Sequence, residues 1–387
     1  MKVISILGST GSIGRSTLNV IGLHPDRFKV FALSGFNNND LLLEQAIKFN
    51  PSFIVTKDLS SKKILMNKLK NTKLDAEVLY GNEGYSFIAS HEKVTTVVAA
   101  ITGSAGLIST IEAAKNSKQI LLANKESMVM AGDLINKVCE ENNSTLIPID
   151  SEHNAIFQVL SENSDATEIK KIILTASGGP FREYSHQDLK EVTIEEALNH
   201  PNWKMGKKIS IDSATMMNKG LEVIEASHLF RLSMEKIEVV MHPQSIIHSF
   251  VEYIDGSSLS QLGKPDMRVP IAYALGYPNR ITSGIDGVLL DKLSGLEFFK
   301  PDLKKFRCLD LSYQSLAMGA AHCISLNASN EIAVEAFLLG RINFLQIPEL
   351  IEKTLTKTVS SDVNSVDHIL EIDKMARIET NKILTKI

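Results

Sequence analysis

Two short polar clusters hold the residues best suited to chemistry, and the first is Pro148-Ile149-Asp150-Ser151-Glu152-His153-Asn154. It closes an apolar run that predicts a strand. If the strand continues through the cluster, Asp150 and Glu152 project to the same side, because side chains alternate along a strand. The alternative is a helix start, with Ser151 as the N-cap and Glu152 near the positive end of the helix dipole. The sequence leaves both interpretations open.

The second cluster spans residues 212–222 and reads Asp-Ser-Ala-Thr-Met-Met-Asn-Lys-Gly-Leu-Glu. On a helix, Asn218, Lys219 and Glu222 share one face. Glu225 lies further along the same helix and is a competing candidate. The alternative is a surface Lys–Glu pair that contributes little. Ser, Asn and Lys near a helix start also suit a phosphate group.

The residue types indicate which ligands these clusters could bind. Two or three carboxylates without a nearby His or Cys ligand favour a hard cation such as Mg²⁺ or Mn²⁺. Ser177-Gly178-Gly179 adds a glycine-rich turn with a hydroxyl after a predicted strand. Asn124-Lys125-Glu126 also follows a predicted strand, where a lysine can orient or protonate a substrate oxygen. A solvated surface lysine is the alternative there.

Residues 200–206 contain the single tryptophan of the chain, Trp203, between Pro201 and Gly206. A lone tryptophan is usually part of a core, but one between loop breakers is typical of a lid over a site. His248 lies within an apolar strand-like run, where a packing histidine is more common than a functional one.

A glycine-rich segment, Gly8-Ser9-Thr10-Gly11-Ser12-Ile13-Gly14, follows the first predicted strand and opens a predicted helix. Glycines permit a tight turn, and the helix start offers N–H groups to a pyrophosphate. The spacing is GxxGxxG rather than the usual dinucleotide fingerprint GxGxxG. A tight turn without a ligand is the alternative, but the position after strand one favours a dinucleotide.

The end of the second predicted strand bears on the choice of coenzyme. An acidic residue there usually binds the ribose 2′-hydroxyl of NAD, and none occurs before Asp40. No Arg or Lys occurs there either, so Ser34, Asn37 and Asn38 would have to hold a 2′-phosphate. The missing carboxylate favours NADP.

Alternating apolar runs and helix-like segments fill the first 150 residues. Such alternation predicts a parallel sheet covered by helices on both faces. The carboxyl ends of its strands form the edge where ligands bind. The predicted strands are residues 3–7, 28–33, 53–56, 94–101, 120–123 and 146–149.

The remainder of the chain has a different pattern. Predicted strands at 169–174, 208–211, 237–241, 246–253 and 257–262 indicate an α+β region, with a hairpin at Ile254-Asp255-Gly256. Helical periodicity dominates from Asp310 and predicts a small helical bundle. The sequence therefore predicts a Rossmann-like nucleotide-binding domain at 1–149, an α+β domain at 150–276, a linker at 277–309 and a helical domain at 310–387.

Composition excludes several classes of protein. The 387 residues are 44% hydrophobic and 22% charged, which is ordinary for folded domains. A net charge of −4 argues against a nucleic-acid binder. No apolar run approaches the roughly 18 residues of a membrane span. The N-terminal apolar stretch is too short for a signal peptide, and three scattered cysteines suit a reducing compartment, so we expect a cytoplasmic protein without membrane partners.

Several long motifs in order resemble 1-deoxy-D-xylulose 5-phosphate reductoisomerases, and the resemblance covers nearly the whole chain. It rests on residues 8–14, 122–127, 148–157, 177–181, 200–206, 212–222, 265–268 and 327–331. The sequence departs from the family at Phe36-Asn37, where members commonly have Gly and then Lys or Arg. The resemblance implies NADPH- and metal-dependent rearrangement and reduction of 1-deoxy-D-xylulose 5-phosphate to 2-C-methyl-D-erythritol 4-phosphate, for isoprenoid synthesis. The alternatives are another NADP- and metal-dependent sugar-phosphate dehydrogenase or a non-enzymatic nucleotide-binding regulator.

The resemblance also implies roles for individual residues. It makes 150–276 a catalytic and dimerising domain of a homodimer. The metal ligands, for Mn²⁺ or Mg²⁺, would be Asp150, Glu152 and Glu222. Substrate would contact Lys125 and Ser151, its phosphate end would meet Ser177, Ser213, Asn218 and Lys219, and His200 would lie in a closing loop beside Trp203 and Met205. Coenzyme would contact Thr10, Gly11, Ser12, Ile13, Asn37, Asn38, Asn124, Glu126 and Gly206, and the catalytic residues would be Lys125, Glu152 and Glu222.

Overall fold

The computed structural model describes residues 1–160, 166–203 and 205–386. The chain divides into two compact units. The first unit comprises Met1–Ser127, Ile135–Asn154 and Asp266–Asp286, and the second unit comprises Met128–Leu134, Ala155–Pro265 and Gly287–Ile387. The two units do not test the predicted division into four segments, so the boundaries at residues 149, 276 and 309 stay a prediction.

A parallel sheet forms the core of the first unit, which confirms the Rossmann-like prediction. Its strands are β1 (Lys2–Leu7), β2 (Phe28–Ser34), β3 (Phe53–Thr56), β4 (Glu77–Tyr80), β5 (Thr96–Ala99), β6 (Gln119–Leu122) and β7 (Thr145–Pro148). They are arranged in the order β4-β3-β2-β1-β5-β6-β7 and all pair in parallel. The connection from β4 to β5 returns to the other side of β1. The carboxyl end of β1 therefore lies at the switch point where such sheets bind ligands.

Helices cover this sheet, as the alternating pattern predicted. They are α1 (Ser12–Gly22), α2 (Asn39–Phe49), α3 (Leu59–Leu69), α4 (Gly81–Ser90) and α5 (Leu107–Lys115). The helices α6 (Lys125–Glu141) and α7 (Ser151–Val159) follow β6 and β7, and residues 128–134 and 155–159 of these helices belong to the second unit. The sequence predicted no strand at β4, because its apolar run is only three residues long and buries only Val78.

A mixed sheet organises the middle of the second unit. Its strands are β8 (Ile169–Ala176), β9 (Ile237–Met241), β10 (Ile247–Tyr253) and β11 (Ser258–Leu262), in the order β11-β10-β8-β9. The helices here are α8 (Ile194–Leu198), α9 (Lys207–Ala214) and α10 (Met217–Phe230). The strand predicted at 208–211 is wrong, because these residues begin α9. Lys208 and Asp212 pair one turn apart at 2.8 Å, a spacing that only a helix provides.

The last helices complete both units. The helix α11 (Arg268–Gly276) packs against α1 in the first unit. The helices α12 (Arg307–Met318), α13 (Ala320–Leu338), α14 (Gln346–Leu355) and α15 (Val366–Leu384) form the predicted C-terminal helical region. Buried Leu221 of α10 shares a core with Leu311, Leu326 and Leu350. The helix that carries the second polar cluster is therefore fixed against the C-terminal helices.

Candidate active site

The glycine-rich turn, residues 8–14, joins β1 to α1 at the switch point of the parallel sheet. Gly14, in the first turn of α1, lies so close to the strand end that a Cβ would be 2.4 Å from the Gly8 oxygen. Gly11 is the exposed N-cap of α1, where a Cβ would come no closer than 3.4 Å to that oxygen. The N–H groups of a helix's first turn have no partner within the helix. This helix start therefore has the geometry of a pyrophosphate site.

A buried network holds the turn against β2. Ser9 Oγ lies 3.0 Å from the Ser34 carbonyl oxygen and 2.7 Å from Gln45 Oε1. Gln45 Nε2 donates to the Ser9 carbonyl oxygen at 2.9 Å. Gly8 N donates to Ser34 Oγ at 2.9 Å. Ser34 is only 1% exposed. The expectation that Ser34 holds a coenzyme phosphate is therefore wrong, because its hydroxyl stabilises the turn instead.

The residues that follow β2 face solvent. Phe36 is 59% exposed, and Asn37 and Asn38 are exposed as well. Asn38 Oδ1 caps α2 by accepting from Leu41 N at 3.0 Å. Asp40, the first carboxylate after β2, forms an ion pair with Lys68. No carboxylate therefore stands directly at the strand end, which fits a 2′-phosphate better than a bare ribose.

The next polar residues follow β6. Asn124 is the N-cap of α6: its Oδ1 accepts from Ser127 N at 2.6 Å, and its Nδ2 donates to the oxygens of Ile101 and Gly103. Its side chain thus has a structural role at the sheet edge. Glu126 is buried in the first turn of α6.

Lys125 and the first polar cluster meet at this edge of the first unit. Lys125 Nζ lies 2.7 Å from Asp150 Oδ2, with both side chains nearly buried. Asp150 and Glu152 each offer a carboxylate oxygen, and these lie within 4.8 Å of one another. Ser151 Oγ donates to Glu152 Oε2 at 2.7 Å. His153 is fully buried, with Nδ1 3.4 Å from Asp150 Oδ1.

The backbone decides between the two interpretations of this cluster. The strand β7 ends at Pro148, and α7 begins at Ser151. The prediction that Asp150 and Glu152 alternate along a strand is therefore wrong. A helix does start here, but the prediction that Ser151 is its N-cap is wrong, because Ser151 is the first residue of α7. Asp150 precedes the helix, and its carbonyl oxygen accepts from Asn154 N at 2.8 Å.

The second cluster spans the end of α9 and the start of α10 in the second unit. Asn218 Nδ2 and Lys219 Nζ both donate to the Glu222 carboxylate, so the three share one face as predicted. Lys219 and Glu222 are 4% and 1% exposed, which excludes a solvated surface pair. Glu225, the competing candidate, is also buried. A buried cation and a buried carboxylate each require a partner of opposite charge, and Lys219 and Glu222 supply this partner to one another.

The turn after β8 brings Ser177 to His200. His200 Nδ1 accepts from the N–H groups of Asn202 at 3.1 Å and Trp203 at 3.0 Å. The proton of the neutral ring is therefore on Nε2, which lies 2.9 Å from Ser177 Oγ. Burial lowers the pKa of His200 to about 4, which keeps this tautomer neutral. Because Ser177 Oγ also accepts from Gly179 N at 3.2 Å, its own proton can be donated to a bound anion.

The same turn packs closely on the cluster at Ser213. Gly179 has a φ of +65°, and a Cβ there would lie 2.7 Å from the Ser213 carbonyl oxygen. Only glycine permits both this backbone and this approach. We call Ser177, Ser213, Asn218 and Lys219 the phosphate cradle, after the role that the family resemblance predicts for them; all four belong to the second unit.

Around residue 200, the structure describes most of the predicted lid. Asn202 Nδ2 donates to the Pro243 oxygen at 2.7 Å and to Ser245 Oγ at 2.9 Å. Trp203 is half-buried, with its ring 6.4 Å from that of His248. Met205 is half-buried, exposed Gly206 is the N-cap of α9, and Lys204 lies outside the described residues. That this loop is a lid stays a prediction.

Sequence reasoning assigned no role to two residues that support the cradle. Asp212, which is 1% exposed, accepts from Asn330 Nδ2 of α13 at 2.8 Å and pairs with Lys208. Met216, between α9 and α10, adopts a left-handed φ of 58° that is uncommon outside glycine. Such a turn persists only where its surroundings determine it. The motif at 327–331 contributes to the family resemblance. The contact between Asp212 and Asn330 joins residues 118 positions apart, so no local sequence pattern predicts it.

Models of protein families match most of this chain. The model described as 1-deoxy-D-xylulose 5-phosphate reductoisomerase matches residues 4–132. The model of that enzyme's C-terminal domain matches residues 146–230, and one described as the DXP reductoisomerase C-terminal domain matches residues 262–379.

Individual proteins are similar over the full length. A 1-deoxy-D-xylulose 5-phosphate reductoisomerase of Nitrosospira multiformis is 50% identical, covering 100% of this chain and 98% of its own. One of Trichlorobacter lovleyi is 52% identical, covering 97% and 96%. A crystal structure of DOX-P reductoisomerase with NADPH, fosmidomycin and magnesium has a TM-score of 0.96 at 48% identity, covering 100% and 98%. The Zymomonas mobilis enzyme with NADPH has a TM-score of 0.92 at 42% identity, covering 99% and 98%.

Proposed function

This chain belongs to the 1-deoxy-D-xylulose 5-phosphate reductoisomerase family, and from that premise we propose how its residues divide the work. The protein converts 1-deoxy-D-xylulose 5-phosphate to 2-C-methyl-D-erythritol 4-phosphate by skeletal rearrangement and NADPH-dependent reduction. The observation that carries the residue assignment is the Lys125–Asp150 pair beside Glu152, at the sheet edge that also holds the glycine-rich turn.

Asp150, Glu152 and Glu222 are the proposed ligands of Mg²⁺ or Mn²⁺. All three are hard oxygen donors, and a relative's structure contains magnesium. When bound, the ion polarises substrate oxygens as a Lewis acid, and NADPH supplies the hydride. Lys125 Nζ contacts the Asp150 carboxylate and Lys219 Nζ contacts the Glu222 carboxylate, so a cation orients each of these two proposed ligands.

The phosphate cradle is the proposed site for the phosphate end of the substrate. Ser177 Oγ accepts hydrogen bonds from His200 Nε2 and Gly179 N, so its own hydroxyl proton can be donated to the phosphate. Lys219 brings a positive charge, and Ser213 and Asn218 add polar groups. Ser151 and Lys125 are assigned to the reacting end, where Lys125 can orient or protonate a substrate oxygen.

NADPH is the proposed ligand of the glycine-rich turn, with Thr10, Gly11, Ser12 and Ile13 at its pyrophosphate. Asn124, Glu126 and Gly206 are assigned to the same coenzyme site, and Asn37 and Asn38 to its 2′-phosphate. The loop of His200, Trp203 and Met205 would close over the bound substrate and exclude water from the aldehyde intermediate.

A homodimer in the cytoplasm is the proposed state of the protein. The strand β11 lies at the edge of its sheet, with Leu259 51% and Leu262 39% exposed, and such an edge can be covered by a second copy. Cys139, Cys308 and Cys323 are buried and free, as suits a reducing compartment. No helix in the described part of the chain is both long and apolar enough to cross a bilayer. Light scattering tests the dimer, and cell fractionation tests the location.

Oxidation of NADPH with 1-deoxy-D-xylulose 5-phosphate, with and without EDTA, tests the function directly. We expect turnover that EDTA abolishes and that added Mg²⁺ or Mn²⁺ restores. Product analysis separates a reductoisomerase from a sugar-phosphate dehydrogenase, because only the former changes the carbon skeleton. A regulator without activity would show binding and no turnover.

A further inference from the structure

We propose that Lys57 supplies the positive charge that selects the 2′-phosphate of NADPH, in place of the neutral residue at position 37. This inference rests on the proposed coenzyme site. It concerns a residue that follows β3, outside the glycine-rich turn and outside the segment after β2.

Strand pairing brings Lys57 to the end of β2. Ser34 of β2 is in register with Val55 of the neighbouring parallel strand β3, and Gly35 N donates to the Val55 oxygen at 3.0 Å. Phe36 lies two residues after Ser34 and Lys57 two residues after Val55, so Phe36 and Lys57 occupy neighbouring positions. Parallel strands end at one edge of a sheet, so Lys57 lies at the edge where β2 presents its coenzyme-selecting residues.

Side-chain contact confirms this placement. Lys57 Nζ lies 5.5 Å from the centre of the Phe36 ring, over the exposed aromatic residue that precedes Asn37. A cation at this distance is attracted by the ring. The lysine side chain is 37% exposed, so its ammonium group can be reached from solvent.

The glycine-rich turn adjoins the same place. A Cβ on Gly35 would lie 3.1 Å from Thr10 Cγ2 and 3.4 Å from Thr10 Oγ1. Gly35 thus lies between the proposed pyrophosphate site and the Phe36–Lys57 pair. A dinucleotide whose pyrophosphate is at the turn would place its adenosine ribose toward the end of β2.

The carboxylate of Asp58 forms only a long ion pair with Lys57. Asp58 Oδ2 lies 3.9 Å from Lys57 Nζ, while Asp58 Oδ1 caps α3 by accepting from Ser61 N at 2.7 Å. Asp40 is paired with Lys68. A phosphate that approached Lys57 would therefore meet a loosely held ammonium group, which binds a phosphate as a point charge.

Calorimetric titration of the metal-free enzyme with NADPH and with NADH tests this inference without measuring catalysis. Lys57→Met keeps the aliphatic stem and removes the charge. We expect the dissociation constant of NADPH to rise about tenfold, as the loss of one charge-assisted contact predicts, and that of NADH to stay within about twofold. The NADPH preference of the natural protein should also fall as salt concentration rises.

Lys62→Met is the matched control, because Lys62 Nζ lies 5.5 Å from the ring of Tyr80 in an equivalent cation–aromatic contact. It should leave both affinities unchanged. In the Lys57→Met background, Asn37→Lys should restore NADPH binding, since both positions would serve the same phosphate.

The outcomes separate this inference from the function on which it rests. An equal loss of NADPH and NADH affinity in Lys57→Met, or no loss, overturns the role of Lys57 while leaving the coenzyme site intact. A natural protein that binds neither nucleotide overturns the coenzyme site itself. A salt-independent NADPH preference would contradict a charged contact even if the variant failed to fold.

Discussion

The glycine-rich turn and the phosphate cradle are both suited to phosphate groups, but they are built in opposite ways. The turn offers backbone N–H groups, and Gly11 and Ser12 are exposed. The cradle offers side chains, of which Lys219 is buried and paired with Glu222. A backbone site depends on the path of the chain, whereas a side-chain site depends on each residue and on what holds it. Substitutions should therefore affect the two sites differently.

Loss of a proposed metal ligand should have the largest effect. Glu222→Gln removes one negative charge at nearly constant shape, so we expect turnover to fall by about 100-fold or more and the metal requirement to rise. Steady-state rates across a Mg²⁺ titration measure both. Glu225→Gln is the control on the same helix and should be milder; the reverse ranking would show that Glu225 is the ligand.

Gly179→Ala should disrupt the cradle without touching any of its polar groups. Its φ of +65° and the 2.7 Å approach to the Ser213 oxygen both oppose a Cβ, and together we expect about 3 kcal/mol of lost stability and a raised KM for the substrate. Gly256→Ala isolates the backbone effect, because Gly256 has a φ of +87° with nothing within 4 Å. It should cost about 1–2 kcal/mol and leave KM unchanged. Equal losses in the two variants would show that close packing is unimportant.

In the glycine-rich turn, two glycines should respond differently. Gly14→Ala forces a Cβ to within 2.4 Å of the backbone and should destabilise the first unit by about 3 kcal/mol. Gly11→Ala meets only an ordinary contact, so thermal unfolding should change little while NADPH affinity falls. Thermal denaturation and NADPH titration together distinguish these effects. If Gly11→Ala binds NADPH normally, the pyrophosphate does not approach this N-cap.

Acidification should loosen the loop at His200. Its pKa is lowered by burial to about 4 from 6.5, so the ordered loop is fully stabilised above about pH 6.5 and loses that stabilisation as the pH falls toward 4. Protonation of Nδ1 removes the acceptor of the Asn202 and Trp203 N–H groups. Trp203 emission, with a phosphonate substrate analogue and metal present, should report this change. His200→Gln should flatten the profile; an unchanged profile would assign it to another group.

The smallest effect is expected from Asn37→Arg. A charged side chain there should widen the preference for NADPH over NADH about fivefold, mainly through the KM for NADPH, because the 2′-phosphate is remote from hydride transfer. Steady-state kinetics with both coenzymes measure the ratio. No change would indicate that the cation proposed at Lys57 is sufficient for the phosphate and that a second charge adds nothing.

Local patterns predicted most of the fold, and long-range pairs explain what they missed. The apolar runs at 53–56 and 237–241 have the predicted bounds, because each buries most of its apolar side chains. The four residues from Lys208 were misassigned, since a short apolar run fits either a strand or a helix. Contacts such as Asp212–Asn330 depend on packing between distant elements, so no local pattern contains them.

The return of residues 266–286 to the first unit has a consequence for how the protein is made. Lys2 Nζ donates to the carbonyl oxygens of Leu275 and Tyr277, and α11 packs against α1. The parallel sheet is complete once β7 has been synthesised, but α1 still lacks its neighbour for more than a hundred further residues. During translation, part of α1 therefore stays uncovered until α11 has emerged from the ribosome.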